Sequence, residues 1–256
     1  MIDSRAHIDP SAQIGDGVEI GPWTLIGADV VIESGCRIAS HVVIKGPTRI
    51  GKNNQIFQFA SIGEACQDKK YRDEPTQLII GDNNVIRESC TLHRGTIQDE
   101  GVTRVGSHNL LMVNVHVAHD CRVGDNIILA NNVALAGHVH VGDYAIVGGQ
   151  TGVHQFCHIG AHAMCGAASM LAQDLPAYVM AAGNTAKPHG INSEGLKRRG
   201  FSPEAIRAIK QAYKLIYRKG LKLDQAITEV ELLQQEFPEL ALLTQSLRDS
   251  NRGIIR

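Results

Sequence analysis

The feature that most constrains this chain is an aliphatic or small apolar residue at every sixth position. A helix repeats every 3.6 residues and a half-buried strand every two, so neither element alone produces a spacing of six. The first stretch comprises Ile8, Ile14, Ile20, Ile26, Ile32, Ile38, Ile44, Ile50, Ile56 and Ile62, and the second comprises Val105, Leu111, Val117, Val123, Leu129, Leu135, Val141, Val147, Val153, Ile159, Cys165 and Leu171.

Each six-residue unit is interpreted as a short strand followed by a turn, which is typical of a parallel β-helix. One unit cannot bury its inward side chains alone, so successive units must stack. Three units would close one triangular coil, and equivalent strands of neighbouring coils would pair about 4.8 Å apart. The pattern leaves the hand of the coil open, because the general crossover rule favours right-handed connections.

Two charged segments, 63–78 and 93–104, interrupt the period and are predicted to be loops that extend from the β-helix. The period ends after Leu171, and apolar spacings of three and four then predict helices. One helix should begin at Ser202-Pro203, with two more near 224–235 and 238–249. We therefore divide the chain into a β-helical domain, 1–190, and an α-helical C-terminal domain, 191–256.

Composition excludes several classes of protein. Aromatic residues make up only 4% of the chain, as expected for a solenoid without a wide core, and the formal net charge of −1 gives no reason to predict nucleic-acid binding. The polar segment 1–10 predicts no secretion signal, and no apolar run is long enough to predict a transmembrane segment. Five of the six cysteines occupy apolar positions of the repeat, which favours packing in a reducing compartment over disulfides. A cytoplasmic location is expected.

A basic segment lies in the predicted helical region. Residues 196–222 contain nine lysines and arginines and a single acid, Glu204. Such a run is either a solvated helix face or a surface for an acidic partner.

Histidines are concentrated in the second half of the repeat. His119, His138 and His154 fall within one position of a single column when three-unit coils are stacked, and His140 and His158 should stack directly on each other. A column of imidazoles next to an acid indicates a functional site more strongly than single surface histidines do.

Two chemistries could use this column. Imidazole is a common zinc ligand, but the trimeric β-helix carbonic anhydrases use two histidines five residues apart, and no pair here has that spacing. The favoured alternative is a general base, with Asp120 orienting His119, and no metal or cofactor is predicted. Alternation along a strand would point these neighbours apart, so the sequence leaves their geometry open.

Several motifs contain residues that a hexapeptide repeat alone does not explain: HVAHD (116–120), NNVALAGHVHV (131–141), VHQFCHIGAH (153–162), QDKKY (67–71), IRESCTLHRGT (86–96), GNTAKPHGIN (183–192) and EGLKRRGFS (194–202). Together they resemble the UDP-N-acetylglucosamine 3-O-acyltransferases, which begin lipid A synthesis in Gram-negative bacteria. The resemblance covers essentially the whole chain. It implies an all-β left-handed parallel β-helix with a small α-helical C-terminal domain, assembled as a homotrimer with active sites between subunits.

The resemblance also implies a reaction, the transfer of a (3R)-hydroxyacyl group from acyl carrier protein to the sugar 3-hydroxyl of UDP-N-acetylglucosamine. His119 would be the general base, Asp120 its support, and the Gly137 N–H the oxyanion donor. The positions that match substrate-binding residues are Gln67, Asp68, Lys70, His116, His138, His154, Gln155, Asn192, Glu194, Arg198 and Arg199. Acyl carrier protein is acidic and would give the basic segment a partner. Asn192 could instead be only a helix N-cap.

Ala167 matches the residue that limits acyl-chain length, and alanine there predicts an intermediate to fairly long hydroxyacyl group. Lys69 and Thr185 stand where the family often has leucine and histidine, so one substrate contact could be missing. Two alternatives stay open at this stage: the related N-acyltransferase, which has an additional N-terminal domain, and a plain β-helix scaffold or binding module.

Overall fold

The computed structural model describes all 256 residues and folds the repeat into three sheets. The first sheet contains His7–Ile8, Leu25–Ile26, Val43–Ile44, Ser61–Glu64, Thr91–His93, His116–Val117, Ala134–Leu135, Gly152–Val153 and Met170–Leu171. The second sheet contains Gln13–Ile14, Val30–Ile32, Thr48–Ile50, Gln77–Ile80, Val102–Val105, Arg122–Val123, His140–Val141 and His158–Ile159. The third sheet contains Glu19–Ile20, Arg37–Ile38, Gln55–Ile56, Val85–Ile86, Leu110–Leu111, Ile128–Leu129, Ile146–Val147, Met164–Cys165, Val179–Ala182 and Lys187–Ile191.

The strands of each sheet come from successive coils. Ile26 pairs with Ile44 in the first sheet, three six-residue units further along the chain, and the pairing is parallel. Only the last strand of the third sheet, Lys187–Ile191, is antiparallel. The parallel stacking confirms the β-helix predicted from the period of six. Its coil is left-handed, as the family resemblance implies.

The inward residues of the repeat form one continuous core. Ile26, Ile44, Ile62 and Leu92 are all fully buried in the first sheet, and the outward residues between them remain half-buried or exposed. Burying such a side chain is worth about 1.5–3 kcal/mol. Because every coil adds such residues, stability grows with the number of stacked coils.

Tight corners join the sheets: the first corner links the first sheet to the second, the second corner links the second to the third, and the third corner closes the coil. In one coil, Asp120, Asn126 and Asn132 occupy these corners with φ of 59°, 57° and 61°. Asn and Asp tolerate this left-handed conformation better than most residues, because their short polar side chains can bond locally. Side chains at the corners consequently leave the strand alternation.

Two irregular segments extend from the corners. The segment that we call the first loop, 65–76, lies between the strands that end at Glu64 and begin at Gln77. The second loop, 94–101, lies between His93 and Val102. Both fall within the charged interruptions of the repeat.

Four α-helices follow the last strand: α1 (Ser193–Arg198), α2 (Pro203–Tyr217), α3 (Leu223–Gln234) and α4 (Ala241–Arg248), with a 3₁₀ turn at Pro238–Leu240. Ser202 caps α2 by accepting a hydrogen bond from the Ala205 N–H (3.0 Å), as its sequence predicts. The Tyr178 hydroxyl donates to the Glu239 carbonyl (2.6 Å) and ties the helices to the end of the β-helix.

No helix in the structure combines the length and apolarity needed to span a bilayer. All six cysteines are buried and unpaired, and five of them pack at positions of the repeat, as predicted. Burial raises the pKa of the Cys121 thiol to about 12 and that of Cys90 to about 11, so both side chains act as small apolar packing groups.

Candidate active site

The centre of the candidate site is a hydrogen bond between two neighbours in sequence at the first corner. His119 Nδ1 lies 2.9 Å from Asp120 Oδ2. The two side chains converge because Asp120 is in the left-handed conformation (φ 59°) rather than in a strand. The alternation that would have separated them does not apply at a corner, so the structure decides the geometry that the sequence left open.

The Asp120 carboxylate is buried and held by further donors. Thr96 donates twice, from its N–H to Oδ1 (2.8 Å) and from its hydroxyl to Oδ2 (2.6 Å). The Asp120 N–H donates to the Thr103 hydroxyl (2.8 Å). Burial would raise the pKa of Asp120, but the hydrogen bonds from His119 and Thr96 outweigh it, and the net shift is downward. Asp120 is therefore an anion at neutral pH and favours the tautomer of His119 with its proton on Nδ1.

Gly137 lies against the other side of the His119 ring. A Cβ built on Gly137 would meet His119 Nε2 at 2.5 Å and Nδ1 at 3.1 Å. Only glycine allows the backbone to approach the imidazole so closely. The Gly137 N–H donates no hydrogen bond within the chain, and Nε2 of His119 has no hydrogen-bond partner. The corner thus presents a free backbone donor next to a free imidazole lone pair.

His138 packs next to the pair formed by His119 and Asp120. Its ring meets that of His119 edge to face at 5.1 Å and stacks on Phe156 at 4.4 Å. Its Nε2 lies 3.7 Å from Asp120 Oδ2, and its Nδ1 lies 3.1 Å from Asp99 Oδ2. His119 and His138 therefore lie next to each other in adjacent coils, as the predicted histidine column requires.

The same cluster contains the residues that a zinc ion would require. His119, Asp120 and His138 bring one potential ligand atom each to within 4.8 Å of one another, the one such set of three in the structure. Both Asp120 oxygens already accept hydrogen bonds from Thr96, and Oδ2 also faces His119. This arrangement suits a buried carboxylate that orients an imidazole better than an open metal ligand.

A groove of about 460 Å³ runs along the outer face of the first sheet from this corner. His116, His154 and Gln155 line it together with aliphatic residues, so the structure brings three of the predicted binding residues to one surface. His154 is exposed and lines this groove, and its Nδ1 lies 3.1 Å from the Gln155 carbonyl oxygen.

His93 and His116 meet edge to face at 5.0 Å on the same sheet. Burial, followed by repulsion from His116, lowers the pKa of His93 to about 4. The pKa of His116 is lowered by burial and by His119. His116 Nδ1 lies 2.7 Å from the Thr91 hydroxyl, and His93 Nε2 lies 3.5 Å from Gln67 Nε2. These imidazoles are neutral at pH 7 and can hydrogen-bond an uncharged sugar.

The first loop approaches the site next to His93. Gln67 reaches His93, and Asp68 Oδ1 accepts from the Lys70 N–H (2.8 Å). The side chain of Lys70 is exposed, and Asp68 is half-buried. Burial raises the pKa of the Cys66 thiol, and the negative charges of Asp68 and Asp120 raise it further. The contact with His93 therefore places Gln67 on the His116 side of the corner, whereas Asp68 and Lys70 form their hydrogen bonds within the loop.

The other predicted residues lie elsewhere on the chain. Asn192 caps α1, accepting from the Gly195 N–H (3.1 Å) and donating to the His162 carbonyl (3.0 Å). The Arg199 guanidinium donates to the Tyr144 carbonyl (2.9 Å) and lies 5.1 Å above the Tyr144 ring. Tyr144 and His162 belong to the second corner, so a single chain does not bring this group to His119.

The remaining residues of that group are on the surface. Glu194 pairs with Lys197 (2.8 Å) across an exposed turn of α1, and Arg198 is exposed. Ala167 lies at the third corner, where a Cβ on Gly148 would meet its backbone N at 2.5 Å. Neither Arg198 nor Ala167 contacts the His119 corner.

Sequence reasoning missed Thr96, Thr103 and His93. Thr96 and Thr103 lie within an interruption of the repeat, where no period predicts the direction of a side chain. His93 was visible within the histidine-rich region, and its position next to His116 follows from the strand pairing of Thr91 with His116.

Known proteins resemble this chain over its whole length. Residues 174–255 match the family described as UDP-N-acetylglucosamine O-acyltransferase, domain 2, and residues 11–46 match the bacterial transferase hexapeptide family. An acyl-[acyl-carrier-protein]–UDP-N-acetylglucosamine O-acyltransferase of Saccharophagus degradans is 56% identical over 256 residues, which is 100% of this chain and 99% of that protein. The chain belongs to this O-acyltransferase family.

Further relatives agree with that assignment. The O-acyltransferase of the same name from Tolumonas auensis is 63% identical over 234 residues, covering 91% of this chain and 89% of that protein. The solved structure of LpxA from Acinetobacter baumannii superposes with a TM-score of 0.98 at 56% identity, covering 100% of this chain and 99% of the other. The chain is thus an O-acyltransferase, and the scaffold alternative is wrong.

Proposed function

We propose that this O-acyltransferase moves a (3R)-hydroxyacyl group from acyl carrier protein to the 3-hydroxyl of UDP-N-acetylglucosamine, the first step of lipid A biosynthesis. The single observation that carries the mechanism is the convergence at the first corner. Asp120 holds Nδ1 of His119, whereas Nε2 is free and adjacent to the unbonded N–H of Gly137. A base and an oxyanion donor side by side are what attack on an acyl carbon requires.

In the proposed reaction, His119 Nε2 takes the proton of the sugar 3-hydroxyl as that oxygen bonds to the thioester carbon. The carbonyl electrons move to oxygen, and the Gly137 N–H stabilises the oxyanion. Asp120 stabilises the imidazolium that forms. When the tetrahedral intermediate collapses, the carbon–sulfur bond breaks and His119 returns its proton to the leaving thiolate. The products are the sugar ester and the free thiol of the carrier, and no cofactor takes part.

Substrate contacts divide into two groups in this proposal. Gln67, Asp68, Lys70, His116, His138, His154 and Gln155 would bind the sugar, the acyl group and the diphosphate. Asn192, Glu194, Arg198 and Arg199 would bind the nucleotide. Arg suits a diphosphate because its charge and fork geometry match phosphate oxygens.

The separation of these groups supports a homotrimer. One chain has the base at the first corner and Arg199 at the second, against Tyr144. A neighbouring subunit could bring its second corner to the first corner of this one, and a complete site would then lie between subunits. Light scattering at micromolar concentration should give three times the mass of the chain, and a monomeric mass would contradict the proposal.

The carrier and the acyl chain are assigned to other surfaces. Residues 196–222 carry nine basic residues against Glu204 and suit an acidic acyl carrier protein. Ala167 would set the length of the acyl chain. If it does, Ala167→Met should shift the preference toward shorter chains, and an unchanged preference would remove it from this role.

The proposed function is tested by supplying UDP-N-acetylglucosamine with hydroxyacyl carrier proteins of different chain lengths. We expect transfer to the sugar, and His119→Ala should abolish most of it. Transfer that survives in the variant would place the base elsewhere, with His116 the next candidate. The absence of transfer at every chain length would contradict the proposed reaction.

A further inference from the structure

We propose that the second loop, 94–101, is a positioning device for the base and that Thr96 is its key positioning residue. This inference rests on the proposed role of His119 and adds to it a residue that the repeat does not supply. Thr96 is the only residue besides His119 that hydrogen-bonds the Asp120 side chain. Its backbone N–H holds one carboxylate oxygen at 2.8 Å, and its hydroxyl holds the other at 2.6 Å.

The β-helix alone does not orient this carboxylate. The scaffold contacts Asp120 through the bond from its backbone N–H to Thr103, which leaves the side chain free to rotate. Two donors from one residue, one to each oxygen, fix the plane of the carboxylate. With that plane fixed, Oδ2 faces Nδ1 of His119, and the lone pair needed for catalysis stays on Nε2.

Burial strengthens these bonds. Asp120 is 1% exposed and Thr96 is 3% exposed. Water cannot replace either donor, and the low dielectric of the interior makes each hydrogen bond to the carboxylate stronger than one at the surface. The carboxylate would otherwise be a buried anion with one partner, which is unfavourable.

Gly95 allows the second loop to follow a path that brings Thr96 to the Asp120 carboxylate. A Cβ on Gly95 would meet the carbonyl carbon of Gly101 at 2.6 Å and Asp120 Oδ1 at 2.8 Å. The two ends of the loop therefore close on each other, and on the carboxylate, only because residue 95 is glycine. This explains why the second interruption of the repeat lies directly beside the candidate base.

The loop is also attached to the scaffold on its outer side. Glu100 pairs with Arg122 (2.9 Å), and Asp99 Oδ2 lies 3.1 Å from His138 Nδ1. These contacts are partly exposed, so solvent screens them and each contributes little alone. Thr96 should therefore matter far more for the base than Asp99 or Glu100.

The chain offers a matched control for a buried threonine. Thr24 is 1% exposed and donates to the Ala39 carbonyl (2.7 Å) at the third corner of an N-terminal coil, next to a strand that lies four strands from His116 in the first sheet. Thr→Val removes the hydrogen bond that the hydroxyl donates at either position and changes volume little. A merely structural role would give similar results at both positions.

We would measure kcat and KM for Thr96→Val, Thr96→Ser and Thr24→Val. The expected result is a loss of kcat of about tenfold to a hundredfold for Thr96→Val, which corresponds to one hydrogen bond to a charged group, with little change in KM. Thr96→Ser should restore kcat to within about threefold, and Thr24→Val should stay within about twofold. Equal losses for the two valine variants, or no loss for Thr96→Val, would overturn the proposal.

The second measurement is the tautomer of His119 by nitrogen NMR of the imidazole. The wild-type ring should carry its proton on Nδ1, and Thr96→Val should increase the Nε2-protonated form, whereas Thr24→Val should not. A wild-type tautomer in Thr96→Val would mean that Thr96 does not act through Asp120. If the wild-type protein fails to transfer acyl groups, the proposed function fails, and this spectrum still decides the role of Thr96.

Discussion

Two pairs of histidines in neighbouring coils show how position within a coil decides chemistry. His119 and His138 meet edge to face at 5.1 Å at the first corner, next to Asp120. His140 and His158 stack at 4.5 Å with their planes 7° apart on the second sheet, as the sequence predicts. His138 and His140 are only two residues apart in the chain, yet one belongs to the candidate site and the other does not.

The difference arises from what each pair faces. His140 points outward from a strand, and His158 occupies the equivalent position on the paired strand of the next coil. Burial, followed by repulsion from His158, Arg122 and His138, lowers the pKa of His140 to about 4, although Asp99 opposes the shift. A corner residue instead meets the loops and carboxylates outside the prism. In a β-helix, catalytic side chains are therefore expected at corners that carry inserted loops, whereas side chains on the sheets are expected to stack regularly on their equivalents in the next coil.

The largest difference between the pairs is expected for alanine substitution. His119→Ala should reduce kcat by about 10²–10⁴-fold, because a general base contributes that much to proton transfer. His140→Ala should leave kcat within about threefold, because His140 has no carboxylate partner. Steady-state acyl transfer measured on both variants decides the comparison. Comparable losses in kcat would show that the two pairs do not differ in function.

A smaller but still large effect is expected for Asp120→Asn. The asparagine oxygen would accept from the Thr96 N–H, and its amide would then donate toward His119 Nδ1. The proton of His119 would move to Nε2, which removes the lone pair that the base uses. We expect kcat to fall by at least about a hundredfold with the fold intact, as checked by circular dichroism. A wild-type rate would show that Asp120 does not set the tautomer.

Gly137→Ala tests the close approach at the corner. The added methyl would overlap the His119 ring, so either the ring or the corner must move. The expected loss in kcat is about tenfold to a hundredfold, similar to that for removal of an oxyanion donor or displacement of a base. Gly149→Ala, at a turn where a Cβ would come no closer than 3.0 Å, is the control. Equal effects would argue against a special role for Gly137.

The smallest effect concerns stability. Burial lowers the pKa of His93, His140 and His162 from 6.5 to about 4, so between these values the unfolded chain binds more protons than the native one. The free energy of unfolding should therefore be largest above about pH 6.5 and fall as the pH drops toward 4. Urea denaturation at several pH values measures this slope. His140→Gln should make it shallower, and an unchanged slope would contradict the shift assigned to His140.

Most of the fold could be predicted from the sequence because every coil repeats the same six-residue apolar pattern. Inward isoleucines such as Ile26 and Ile44 need only the period of six, and their burial is complete. The N-cap at Ser202 depends on local backbone geometry and was likewise predictable. The loop residues Thr96 and Asp99 were not, because the path of an irregular segment depends on contacts that are distant in sequence.

The sequence by itself determined the β-helix, the positions of its two interruptions, the stacking of His140 on His158, and, through non-repeat motifs, the family. Only the tertiary structure decided that His119 and Asp120 converge, that Gly137 is pressed against the imidazole, and that His154 lines the groove. It also decided that Arg199 lies at a different corner from the base. The physical reason is that periodic burial is a local property of the chain. Geometry at the corners depends on single left-handed residues and on a loop that returns to them.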